Sequence, residues 1–414
     1  MSTYYSRRLV LQRGLLAAGS LGAGSAMLYR APYTFARAID GQAKGAQLQA
    51  ANLDFAFRLF GQLARSANQN TFLSPLSVSL ALAMTANGAR GATQQAMLST
   101  LSRGHLGTAD LNQASAALIA GLRARDPHVQ LAIADSLWTR QGLPVRPQFA
   151  QALKSAYGAQ VTSLNFADPG APAVINRWVD RQTHGLIPMI VNTIPPEALL
   201  YLINTLYFKA DWQQQFHTSS TRQQPFSLSG GQKVQVPMMS TGGSFFYYGD
   251  ASYQAIALPY GNGKFSMYIL LPAAGADFAT FQKGLTAQSW NTTLSKLTME
   301  QGIIALPRFT VSYGANLNAA LSALGMGVAF GPHADLSGIF VNRPALISAV
   351  LHKAVMKVYE AGTTAAAVTS VMVGAQIATQ YRFTMTVNRP FFCAIADTTT
   401  GTLLFMGAIV EPRS

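Results

Sequence analysis

The run LLYLINTLYF at residues 199–208 carries apolar side chains at both odd and even positions, interrupted only by Asn204 and Thr205. Successive side chains of a strand point to opposite faces. A strand of this composition therefore needs cover on both sides and belongs in the middle of a sheet packed between two layers. Such an arrangement needs much apolar material. The chain supplies it, with 414 residues of which 49% are hydrophobic and only 11% charged, enough for a large core rather than disorder.

Upstream of this strand the period is helical. Leu48, Ala51, Phe55, Leu59 and Leu63 recur on one helix face. Ser74-Pro75 then offers an N-cap and a first-turn proline to SPLSVSLALAMTANG, and Asn87-Gly88 a terminator. Downstream, IADSLW, SMYILLP and GIIALPRFTV are short β-rich runs, and FFCAIAD and TLLFMGAIV flank Thr398 to Gly401 as a hairpin would. No repeat, charge block or linker divides the chain. These patterns predict a mixed α+β fold in one large domain, residues 39–414, around a central sheet.

Residues 1–38 read as an export signal. Arg7 and Arg8 precede an uncharged Gly/Ala/Leu stretch from Gly14 to Tyr29, and Ala36-Arg37-Ala38 follows as an A-x-A cleavage site. The segment resembles a bacterial twin-arginine signal. Its uncharged stretch is shorter than the roughly 20 residues of a spanning helix, so no permanent membrane anchor is expected and the protein is placed outside the cytoplasm, in a periplasm or beyond. Basic side chains outnumber acidic ones 30 to 16, and five of the arginines lie in this segment. The remainder is still basic, which fits plain solubility as well as an acidic partner.

Little in the chain points to catalysis or metal binding. Six histidines form no H-x-x-x-H pair, and the single cysteine, Cys393, sits in the apolar run RPFFCAIAD, where it reads as core and excludes an internal disulfide. There is no G-x-S-x-G elbow, no S-x-x-K with K-T-G, and GNGK at Gly261 lacks the spacing of a phosphate-binding loop. Aromatics do not interleave with a basic stripe, so nucleic acid is not an expected partner. Arg123, Arg125 and His128 make a small basic group at what reads as a helix end. The segment YEAGTTAAAVTSVMVGAQIATQ, Tyr359 to Gln380, stands apart: one charge, no proline, and small residues passing into β-branched ones.

Several stretches together resemble serpins: FLSPLSVSLALAMTANGARGAT at Phe72, INRWVDRQTHGLI at Ile175, LINTLYFKADW at Leu202, LPRFTV at Leu306, LGMGVAFGPHADLSGI at Leu324, AVLHKAVMKVYEAGTTAAAVT at Ala349 and NRPFFCAIADTTTGTLLFMGAI at Asn388. They occur in serpin order. The resemblance implies the serpin fold, with a central, mainly antiparallel sheet, surrounding helices and an exposed reactive loop at about residues 360–381. It also implies the activity: a monomeric suicide substrate whose loop is cut by a target protease, then inserts as an extra strand and traps the protease covalently, with no cofactor and no catalytic residue of its own.

On this resemblance Glu360, Gly362, Thr363, Thr364, Ala365, Ala366, Ala367, Val368 and Thr369 form the hinge. Counting from Thr363, the inward set Thr363, Ala365, Ala367 and Thr369 is small throughout, and Gly362 gives the hinge freedom to bend. Counting from Glu360 puts the scissile bond between Gln376 and Ile377; counting back from NRPF gives that bond or one near Thr379-Gln380. No Lys or Arg lies between Ala361 and Tyr381, which disfavours trypsin-like targets. Elastase-like, subtilisin-like, papain-like and glutamine-selective proteases stay open. Ser77, Asn204 and His352 match the polar group beneath the opening point of the sheet, and Trp212 the tryptophan at its top. Lys357 and Tyr359 depart from the usual serpin residues before the hinge. The alternatives are a non-inhibitory serpin acting as chaperone or carrier, and a hydrolase with an unrecognised site.

Overall fold

The computed structural model describes residues 41–66, 68–104, 106–341, 345–363 and 380–413. The export-signal segment therefore lies outside the described residues, as do Thr364 to Thr369 and the Gln376-Ile377 bond.

Six helices precede or flank the central sheet: α1 (Gly41–Leu63), α2 (Pro75–Ala86), α3 (Gly91–Thr100), α4 (Thr108–Arg123), α5 (Pro147–Tyr157) and α6 (Ala171–Gln182). Helix α2 begins where the sequence says it should. The Ser74 side chain accepts the Ser77 N–H at 3.2 Å, Pro75 occupies the first turn, and Asn87 is the C-cap. Every residue of α2 is buried, so this helix lies under the sheet rather than on the surface.

Among the described residues the central sheet has six strands: β1 (Gln130–Arg140), β2 (Gln160–Leu164), β3 (Leu200–Asp211), β4 (Phe309–Asn316), β5 (Ala349–Val358) and β6 (Gly362–Thr363). Their spatial order is β4-β5-β6-β3-β1-β2. Four of the six pairings are antiparallel; β1–β2 and β3–β5 are parallel. Strand β3 is the LLYLINTLYF run, and its alternation sorts as expected. Leu200, Leu202, Leu206, Phe208 and Ala210 enter the main core, while Tyr201 and Ile203 enter a second core under α6. That second core is closed by Ile175, Trp178 and Val179 of α6, with Trp178 edge-on to Trp138 of β1. Burying both faces contributes on the order of 1.5–3 kcal/mol per large side chain.

A nine-stranded sheet packs behind the main core, and the C-terminal hairpin Phe391–Asp397 with Leu403–Ile409 lies within it. The β-rich run GIIALPRFTV forms parts of two strands, Thr298–Pro307 in the large sheet and β4 in the central sheet, with the change of sheet at Arg308. No described helix is long and apolar enough to cross a membrane.

Candidate functional site

The seam between β3 and β5 is closed at one end and wedged open at the other. At the closed end the two strands pair in parallel over Ala349–Tyr201 to His352–Asn204. At the other end Thr363 stands between them, opposite Ala210 on β3 and Val358 on β5. Among the described residues, no pairing joins residues 205–209 of β3 to residues 353–357 of β5. Six residue steps separate Asn204 from Ala210, about 20 Å of strand.

The chain enters the wedge through a tight turn. Tyr359 and Gly362 exchange both backbone hydrogen bonds, at 3.0 and 3.1 Å, across Glu360-Ala361. A Cβ on Gly362 would meet the Ala210 carbonyl oxygen at 2.1 Å and the Asp211 Cα at 2.6 Å. Glycine is therefore required here by the closeness of β3, which differs from the conformational freedom expected from the sequence. Glu360 is buried; its carboxylate accepts from the Thr221 hydroxyl at 2.7 Å and lies 3.5 Å from Arg308, and its carbonyl accepts from Phe216 N–H. Arg308 is half-exposed, so the ion pair adds little beyond orientation.

Trp212 and Tyr260 form the wall of the wedge. The Trp212 indole N–H donates to the Tyr359 carbonyl at 2.9 Å, and its backbone N–H to Ala361 at 2.8 Å. Its ring stacks on Tyr260 at 4.3 Å and 13°. The Tyr260 hydroxyl is 2.5 Å from Thr363 Oγ1. Burial pushes the Tyr260 phenol well above its ordinary range, with the Thr363 bond a smaller opposing influence, so the group is a neutral hydroxyl. Thr363 is 1% exposed.

At the closed end, His352 Nε2 accepts the Ser74 backbone N–H at 3.0 Å. The ring proton therefore sits on Nδ1 and is donated to Asn204 Oδ1 at 2.9 Å. Burial lowers the imidazole to about 4, so the ring is neutral. The sequence pointed to Ser77 as the third member. The structure instead gives that place to the backbone of Ser74, while Ser77 is buried nearby with its hydroxyl unbonded. Trp212 does not join this group; it lies just past the end of β3, with the hinge.

Tyr260, Thr221, Arg308 and Phe216 were not found from the sequence. Their link to the hinge depends on register across distant strands, for which no local motif exists. The basic group also resolves: Arg125 pairs with the fully buried Asp397 at 3.1 Å, and Arg123 donates to the Ile133 carbonyl.

The sequence model of the family described as "Serpin (serine protease inhibitor)" matches residues 50–412. Human neuroserpin is 31% identical over 376 residues, covering 87% of this chain and 91% of that protein. Among solved structures, human thyroxine-binding globulin complexed with thyroxine superposes with a TM-score of 0.83 at 26% identity, over 90% of this chain and 100% of that one. The thermophilic serpin tengpin in its native state gives 0.81 at 31% identity, over 91% and 95%. The chain belongs to the serpin family.

Proposed function

We propose that this serpin is a suicide-substrate inhibitor of a serine protease of elastase-like or subtilisin-like specificity, or of a papain-like cysteine protease, cut near Gln376-Ile377. The observation that carries this reading is Thr363 seated between β3 and β5, above a stretch in which, among the described residues, nothing pairs the facing edges of the two strands. Strand β6 is antiparallel to both neighbours, so its register can be continued. Residues 364–368 would pair with residues 209–205 of β3 and 357–353 of β5, and Thr369 would arrive opposite both Asn204 and His352. The inward partners of Ala365 and Ala367 would be Phe208 with Met356 and Leu206 with Ala354. Only small side chains suit a strand placed between those.

In this mechanism the protease nucleophile attacks the Gln376 carbonyl, Ile377 leaves as the new amine terminus, and the freed loop zips down the seam before water reaches the acyl-enzyme. The His352–Asn204 bond is the point that must part for insertion to pass Thr369. The serpin domain spans residues 39–414 and acts as a monomer, after export by the Arg7-Arg8 signal; replacing both arginines by lysine is expected to retain the protein in the cytoplasm.

The likeness to thyroxine-binding globulin favours a second reading, a non-inhibitory serpin acting as a carrier. Incubation with a protease panel separates the two. The inhibitor reading expects a complex that survives boiling in detergent; clean turnover of the loop by every protease, with no complex, supports the carrier.

A further inference from the structure

Asp135 lies on β1 directly opposite Asn204 of β3, which is in turn opposite His352 of β5. Paired residues share a face, so the three side chains form a row under the sheet, ending at the bond that closes the seam. Asp135 is 3% exposed, and neither carboxyl oxygen has a hydrogen-bond partner. Asn204 Nδ2 and the Ser77 hydroxyl are buried and unbonded as well.

The neighbours offer no counter-charge in contact. Helix α2 packs against β1 and its sequence, PLSVSLALAMTA, has no titratable group. Helix α4 contributes Arg123, whose field favours the carboxylate but whose guanidinium is bonded to Ile133 O at 3.2 Å. Helix α5 contributes the Tyr157 phenol, bonded to Asn112, with Arg103 acting on it from behind. Strand β2, QVTSL, carries none, and β5 presents the neutral His352. An ionised carboxylate at this place would be a buried charge without a partner.

We propose that Asp135 is kept as a neutral acid in the native sheet and that its ionisation loosens the seam. The carboxylate would be a buried charge without a partner at the row that ends in the His352–Asn204 bond, and would be relieved by strand separation and entry of water; the proton passes to solvent base. Burial outweighs Arg123 and pushes the carboxyl up to about 8. The sign follows. Between the ordinary value of 3.8 and about 8 the native state keeps a proton that the opened chain loses, so native stability falls as pH rises through that window and levels off above it. His352, lowered from 6.5 to about 4, acts oppositely below 6.5. The Asp135 effect is thus unopposed from about 6.5 to about 8. The proposal concerns the sheet and holds or fails independently of protease trapping.

The test uses the full chain and Asp135→Asn, following loss of the native state at fixed temperature by tryptophan fluorescence. The wild-type rate should rise between pH 6.5 and 8 by up to about tenfold per unit, and the variant rate should stay level. Parallel pH profiles would overturn the proposal. A second measurement needs no variant: isotope-labelled aspartate in the wild type should give a protonated-carboxyl infrared band near neutral pH that disappears on titration past about pH 9. Absence of that band would equally overturn it.

Discussion

Tyr260 and Thr363 are 103 residues apart in the chain, yet their hydroxyl oxygens lie 2.5 Å from each other in a fully buried site. This contact fixes Thr363 inside the central sheet, between Ala210 of β3 and Val358 of β5.

Thr363→Arg should abolish stable protease complexes while leaving the loop cleavable. The site has room for one hydroxyl, and a buried, unpaired guanidinium costs on the order of 3 to 5 kcal/mol, so the hinge would be expelled. Gel analysis after incubation with a target protease should show cleaved serpin and no complex. Unchanged complex formation would rule out insertion through this wedge.

Gly362→Ala should also expel the hinge, by sterics alone. The new methyl would overlap the Ala210 carbonyl and Asp211 backbone, and neither can swing aside as a side-chain end could. Overpacking of this kind costs about 1–3 kcal/mol, which lowers the melting temperature of the intact protein by several degrees. Limited proteolysis should become faster near Thr363. An unchanged melting temperature with an unchanged cleavage pattern would show that β6 does not occupy the seam.

Much of this architecture is legible in the sequence, because it rests on local patterns. Apolar residues on both faces of LLYLINTLYF announce a central strand, and Ser74-Pro75 announces the start of α2. Of the small inward set expected for the hinge, only Thr363 lies within the described residues. What is not legible depends on register between distant segments. Nothing in GIIALPRFTV shows that the chain changes sheet at Arg308. Nothing near Gly362 shows that β3 passes within contact of its Cα, and Ser77 looks as suitable a partner for His352 as the Ser74 backbone that bonds it.

His352→Gln should remove a pH dependence of stability on the acid side. The buried imidazole titrates at about 4 in the native state against 6.5 unfolded, so the unfolded chain takes up a proton that the native state refuses. Acidification through this range favours unfolding, by about 1.4 kcal/mol per pH unit. The stability of the wild type relative to His352→Gln should therefore increase with pH from about 4 to 6.5 and be constant above. A difference that does not vary with pH would mean that the ring titrates normally.

The central claim is that the intact chain is a kinetic trap whose free energy is lowest with the loop inserted. Thermal unfolding of the intact protein against the same protein nicked once near Gln376-Ile377 tests it most directly. Insertion would add a row of backbone hydrogen bonds along the edges of β3 and β5 that, among the described residues, have no partner. The nicked form should then melt higher than the intact protein by well over the roughly 2 to 4 °C that 1 kcal/mol gives a domain of 150 to 250 residues. A nicked form that melts at or below the intact protein would contradict the account and leave the carrier reading in its place.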